Sequence, residues 1–391
     1  MQRRYLQTIK SRILEPRKFI QVISGPRQVG KTTLITQALK EVDRPHLFIS
    51  ADNISGDSGV WLLSQWNQAR LECRKYEDYI LVVDEIQKVS NWSEVVKREW
   101  DIDTRQQTPL KVVLLGSSTL LLQKGLTESL MGRFEIIAIP HWSYSEMHDC
   151  FGYTLEQYIG FGGYPGPAEM IGDETRWKQY IRQSIVEPSI TRDVLLLTRI
   201  DKPPLMHRLF DVGCSYSAQI VALTKLLGEM NERGNVTTLS SYLSLLNSAK
   251  LLGGLEKFSP DIIRQRASKP KFQVYNNALM NIQYGKRLTE LTADGNLWGR
   301  FVESAVGSHL LAYSECDNFK VFYWNENSME VDYVLQRGNE VIAIEVKSGN
   351  RSYNAGMERF AKQHKPTRLY TVGTGGIALE DFFTTDPAEL F

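Results

Sequence analysis

The stretch GPRQVGKTT, Gly25 to Thr33, constrains this chain more than any other, because it sets GxxxxGK[ST] between a strand-like run and a helix-like one. FIQVIS before it is β-branched and aromatic, as in a buried strand, and LITQALK after it repeats apolar residues at helical spacing. A loop so placed reads as a phosphate cradle. Gly25 and Gly30 let the backbone turn its N–H groups inward across Pro26, Arg27, Gln28 and Val29. Lys31 brings a mobile ammonium to the outer phosphates, and Thr32, followed by Thr33, offers a hydroxyl to Mg²⁺.

Two further strand candidates, HLFISAD and YILVVDEIQ, come next. The second ends in two carboxylates. Asp84 at its tip stands where a Mg²⁺-water ligand belongs, and Glu85 beside it can orient and polarise an attacking water. KVVLLGSST follows and ends in the hydroxyls of Ser117 and Ser118. The helix-like TLLLQKGLTESLMG then stops at Gly132, with Arg133 just before the strand candidate FEIIAIP. This alternation predicts a parallel α/β sheet.

In this order GPRQVGKTT, VVDEIQKV, LLGSSTLLL and MGRFEIIAIP resemble the prokaryotic family of AAA+ ATPases with a C-terminal restriction-endonuclease-like domain, DEIQ being its most distinctive Walker B form. FGGYPGPAEM, RQSIVEPSITRD, EVDYVL and IAIEVKSG extend the resemblance over nearly the whole chain. It implies a Mg²⁺-dependent ATPase with ATP and Mg²⁺ as cofactors and a polar sensor at Ser117 or Ser118. It also implies a homo-oligomer in which Arg133 reaches a neighbouring subunit's γ-phosphate as an arginine finger. A surface arginine paired with a nearby acid is the plainer reading of Arg133.

At 391 residues the chain exceeds one ordinary core. The expected division is a P-loop AAA+ ATPase domain over 1–150, a helical and winged-helix region over 151–268, and a PD-(D/E)xK nuclease-like α/β domain over 269–391. FGGYPGP is expected as a turn cluster at the first junction. SAQIVALTKLLGEMNERG and VTTLSSYLSLLNSAKLLGGLEKF have the order of a winged helix. TTLSSYLSLLNSAK presents chiefly hydroxyls, which favours an assembly role over base readout. The segment carrying Lys257, Arg264, Arg266, Lys269 and Lys271 is locally basic, either tracking phosphates or forming a solvated linker.

The formal net charge of +1 excludes a basic field over the whole molecule, so DNA contact has to come from local patches. Cys73, Cys150, Cys214 and Cys316 are scattered, with no disulfide or zinc pattern. No apolar stretch is long enough to span a bilayer, and MQRRYLQTIKSR lacks a signal-peptide core, so a cytoplasmic location without membrane contact is expected.

The last region carries a second constellation. Asp332 ends EVD, and after a hairpin-like RGNE turn Glu345 and Lys347 share one side of a strand. Asp332 with Glu345-x-Lys347 resembles the PD-(D/E)xK nuclease core, in which Asp332 and Glu345 would hold Mg²⁺ and Lys347 would orient water. Glu303, in the helix-like LWGRFVESAVGSHLLAYS, matches an acidic metal-binding helix position of that superfamily. The whole reads as an ATPase that positions a nuclease-like domain on DNA, in DNA processing or defence. The alternative is a P-loop signalling or assembly switch whose terminal domain only docks.

Overall fold

A computed structural model describes residues 3–54, 56–76, 78–116, 126, 129–194, 200–230, 235–261, 265, 268–349 and 355–391, and the chain forms two compact units, Met1–Pro140 and His141–Phe391. The first runs α1 (Tyr5–Leu14), β1 (Ile20–Ser24), α2 (Lys31–Val42), β2 (His46–Ser50), α3 (Ser58–Glu72), β3 (Tyr79–Asp84), α4 (Trp92–Arg105), β4 (Leu110–Gly116) and β5 (Phe134–Ala138). Its strands form one sheet in the order β2-β3-β4-β1-β5, with every pairing parallel.

The order of strands follows from their side chains. IQVIS of β1 and YILVVD of β3 are buried along their whole length, as strands covered on both faces must be, whereas β2 and β5 keep partly exposed positions and take the edges. Parallel pairing brings the C-terminal ends of all five strands to one edge. There the loop after β1 lies on one side of the β4 terminus at Gly116, and Asp84 of β3 lies on the other.

α3 and α4 are locked together by a buried polar network. Asp103 accepts from Trp66 Nε1 at 2.7 Å and from Arg70 Nε at 2.6 Å, and Arg70 also donates to Glu99 Oε2 at 2.6 Å. Asp103 is fully buried, so its charge is tolerable only because both oxygens are engaged.

Among the described residues the second unit contains two sheets on one large core, with a smaller cluster around Phe258, Phe322, Trp324 and Phe360 beside it. β6 (Gln219–Ile220), β7 (Leu252–Leu255) and β8 (Lys271–Val274) pair antiparallel in the order β6-β8-β7. β9 (Lys320–Glu326), β10 (Met329–Arg337), β11 (Glu340–Lys347) and β12 (Arg368–Gly373) form the order β12-β11-β10-β9, with only the β11–β12 pair parallel. Arg337 pairs with Glu340 across Gly338 (φ +59°), so RGNE closes a two-residue hairpin. The long helix Gly295–Ser314 packs on β8 as well as on β9 and β11, and buries Phe301, Val302, Val306 and Leu310 between them.

Helices precede and flank β7. Pro203–Ser215 leads into β6, and Leu223–Glu229 and Val236–Ser248 lead into the β7–β8 pair. The FGGYPGP cluster lies inside this unit. Gly162 (φ +70°) has no room for a side chain, because a Cβ would stand 1.9 Å from Asn276 Oδ1, and the Gly163 amide donates to that same oxygen at 3.2 Å. Among the described residues, no helix is long and apolar enough to cross a membrane.

Candidate functional site

The cradle begins where β1 ends. A Cβ on Gly25 would lie 2.1 Å from the Ile139 carbonyl oxygen beyond β5, so only glycine passes there. Gly30, at φ +85°, is the left-handed N-cap of α2, and α2 presents its first-turn N–H groups to the loop. Lys31 is buried to 7 % exposure, and its Nζ donates to the carbonyls of Gly25 at 3.0 Å and Pro26 at 2.7 Å. Arg3 braces the loop from outside: it donates to Val29 O at 2.9 Å and to Pro140 O at 3.2 Å. Nothing in the local sequence marks that partnership, which spans 137 residues.

Thr32 and Asp84 meet across the sheet edge, with Thr32 Oγ1 donating to Asp84 Oδ2 at 2.8 Å. The other Asp84 oxygen accepts the Glu85 amide at 2.8 Å. Burial pushes the Asp84 carboxyl above its ordinary pKa and the Glu85 charge adds to this, while the Thr32 and Glu85 N–H bonds and the Lys31 ammonium pull it back. A hydroxyl and a carboxylate converging beside a glycine cradle and a buried ammonium fit a Mg²⁺–nucleotide pair. Glu85 is left-handed (φ +53°, ψ +38°), a strained backbone that turns the chain sharply at the strand end into a short 3-10 turn, Ile86–Lys88. The Gln87 side-chain amide donates to Glu85 Oε2, so the last residue of DEIQ holds the carboxylate that the sequence assigns to water.

Arg133 stands elsewhere. It precedes β5, whose first residue pairs with Ile20, so it lies at the N-terminal edge of the sheet, roughly 15–20 Å of strand from the cradle. Its guanidinium grips Asp101 of α4 with two bonds, 2.8 and 3.1 Å, and holds that carboxyl below its ordinary pKa. Ser117 and Ser118, expected as sensors, lie outside the described residues.

In the second unit three carboxylates, Glu303, Glu330 and Asp332, place oxygens within 4.8 Å of one another. Glu303 and Asp332 were expected from the sequence, and Glu330 is an addition. Glu330-Val331-Asp332 is a period-two pair at one face of β10, so the second acid was available in the sequence. Glu345 and Lys347 occupy the end of β11, and Glu345 is not one of the three clustered carboxylates. Asp332 Oδ2 accepts the Val346 amide at 2.8 Å, which ties the tip of β11 to it.

Between the three acids sits a lysine. Lys271, which the sequence places in an exposed basic stretch, is fully buried. Its Nζ lies 2.5 Å from Glu303 Oε1, 3.0 Å from Glu330 Oε1 and 3.7 Å from Asp332 Oδ1. Burial alone would lower its pKa, but the charges of Glu303, Asp332 and Glu330 outweigh that and hold the ammonium protonated. Burial first and then the Asp332 charge push Glu303 above the ordinary carboxyl range, with Lys271 opposing. Arg264 and Arg266 lie outside the described residues.

Residues 17–148 match the family described as AAA domain. Residues 152–290 and 298–382 match two domains of unknown function, DUF8612 and DUF4143. No curated protein matches significantly. Among solved structures, a Walker-type ATPase of Pyrococcus abyssi aligns at 12 % identity and a TM-score of 0.45, over 71 % of this chain and 94 % of that one. The Thermotoga maritima RuvB Holliday junction branch migration motor aligns at 19 % identity and a TM-score of 0.30, over 65 % and 86 %. Neither likeness adds to what the family match and the cradle carry. The first unit of this chain is a P-loop ATPase domain of the AAA type.

Proposed function

We propose that the chain is a Mg²⁺-dependent ATPase that works as a cytoplasmic homo-oligomer and passes its nucleotide cycle to DNA through the second unit. The observation that carries the ATPase reading is the 2.8 Å contact between Thr32 and Asp84, which joins the two halves of a phosphate site from strands that are not neighbours. Bound there, Mg²⁺ would neutralise charge on the outer phosphates. Thr32 and Asp84 hold its shell, Lys31 binds the outer phosphate oxygens, and the Gly25–Gly30 backbone wraps the chain of phosphates. Glu85 orients the attacking water and takes its proton, with Gln87 fixing the carboxylate.

For the second unit, the succession Pro203–Ser215, β6, two helices and the β7–β8 pair supports a winged-helix reading. Glu303 on a helix, followed by Asp332, Glu345 and Lys347 on two paired strands, supports a nuclease-like one. We carry the divisions near residues 150 and 268 in the same sense. A second reading, a switch whose terminal part only docks, is favoured by the Lys271 position and by the helix Val236–Ser248. That helix exposes Thr237, Ser240, Ser241 and Ser244, with no cation for phosphate or base. ATP turnover with and without linear, single-stranded and branched DNA separates the two. DNA-stimulated turnover is expected, and turnover indifferent to every DNA favours the docking switch.

Arg133 cannot reach its own cradle, so any catalytic role is in trans. Mixing Arg133→Ala with Lys31→Ala protein is expected to restore part of the turnover each lacks, since a finger of this kind is worth roughly 10³ to 10⁵ in rate. Absence of rescue in demonstrably mixed oligomers leaves Arg133 as the structural partner of Asp101.

A further inference from the structure

The acidic cluster of the second unit already contains a cation. We infer that Lys271 is its resident counter-ion, standing in for the divalent metal that a nuclease of this chemistry requires, so that the second unit engages its partner without metal-dependent strand cleavage. This rests on the nuclease-like reading of Glu303 and Asp332 and is independent of the ATPase.

Four observations converge on it. First, an ammonium has three donors, and Lys271 has three oxygens in reach: Glu303 Oε1 at 2.5 Å, Glu330 Oε1 at 3.0 Å and the Asp332 carbonyl at 3.2 Å. Second, Mg²⁺ needs oxygens at about 2.0–2.1 Å in near-octahedral array, so an ion on Glu303 Oε1, itself 2.5 Å from Nζ, would lie no more than about 4.6 Å from the ammonium. Like charges that close in a buried site repel strongly, and the two cations exclude each other. Third, Lys271 is held in place. β8 is the central strand of its sheet, Lys271 pairs with Ile220 on one side and Leu255 on the other, and its side chain has no exposed surface. Its Nζ lies 5.0 Å from the Tyr333 ring centre, and the Tyr333 hydroxyl is in turn fixed by Gln273 Oε1 at 2.9 Å and the Glu303 carbonyl at 2.8 Å. Fourth, Asp332 Oδ2 accepts the Val346 amide at 2.8 Å and its Oδ1 lies 3.7 Å from Lys271 Nζ, so both oxygens already stand beside an N–H group or a positive charge.

A buried lysine among carboxylates also differs in kind from the water-activating lysine of the nuclease core. Lys271 has spent its protons on Glu303, Glu330 and a carbonyl, and no solvent reaches it. The sequence supplies that other lysine as Lys347, at the end of β11.

The test is Mn²⁺ binding by the full chain without nucleotide, read by calorimetry and electron paramagnetic resonance, for wild type, Asp332→Asn, Lys271→Met and the double variant. Wild type and Asp332→Asn are expected to bind the same amount of Mn²⁺. Lys271→Met is expected to gain one ion per chain, and the double variant to lose it again. A wild-type ion that Asp332→Asn removes overturns the inference while leaving the nuclease-like reading in place. A folded Lys271→Met that gains nothing overturns the inference together with that reading. Should Lys271→Met fail to fold, the comparison of wild type with Asp332→Asn still decides, because only a metal-holding site makes those two differ.

Discussion

Glu85→Gln is expected to bind ATP as wild type does and to hydrolyse it about 10²- to 10⁴-fold more slowly, the usual contribution of a positioned general base. The amide keeps the size and planarity of the carboxylate, so the turn after β3 and the Asp84–Thr32 contact survive. What it loses is the ability to take a proton. The Gln87 amide, which now donates to Glu85 Oε2, would meet an amide able to present the same oxygen. Fluorescent-nucleotide binding and phosphate release on one preparation separate the two effects, and turnover near the wild-type level would mean that the water is activated by another residue.

Lys31→Ala acts a step earlier. The ammonium is buried and bonded to two loop carbonyls, Gly25 and Pro26, so it is already aimed into the cradle by the first turn of α2. Losing a buried charged contact to phosphate costs about 2–5 kcal/mol, which is roughly 30-fold to several-thousand-fold in Kd. The substitution also leaves those two carbonyls without their lysine donor. Weakened binding of both ATP and ADP is therefore expected, measured by titration calorimetry. Unchanged affinity with lost turnover would assign Lys31 to catalysis alone.

The phosphate site was legible in the sequence because its chemistry is local. Six residues of loop, a glycine at each end and a Lys-Thr pair at the start of a helix specify backbone and side chains together, and Asp84-Glu85 sits at the end of an unbroken apolar strand. What no local pattern shows is that β4 lies between β1 and β3, since strand order is set by packing of the whole sheet. Arg133 was visible as a lone arginine before β5, but its partner Asp101 is 32 residues upstream on α4. Its position fixes which edge of the sheet it occupies, not its task.

Lys271 shows the limit most clearly. Lysine is almost never fully buried unless paired, so a Lys-Pro-Lys run beside further basic residues reads as solvent-exposed. Only the arrangement of β8 at the centre of its sheet, under the helix Gly295–Ser314 and beside β10, brings it to Glu303, Glu330 and Asp332. The partners are 32 to 61 residues away, too far for periodicity to connect. Gln273, two residues on and fully buried as well, carried a faint signal: alternate polar residues in a strand with no solvent-exposed face imply a buried polar network.

The most direct test of the ATPase assignment is phosphate release by the full chain with Mg²⁺, repeated with the metal chelated and with Glu85→Gln at the same bound nucleotide. Wild type is expected to show turnover that disappears on chelation and that falls by about 10² or more in Glu85→Gln. Turnover that survives chelation, or that Glu85→Gln leaves intact, would contradict the assignment.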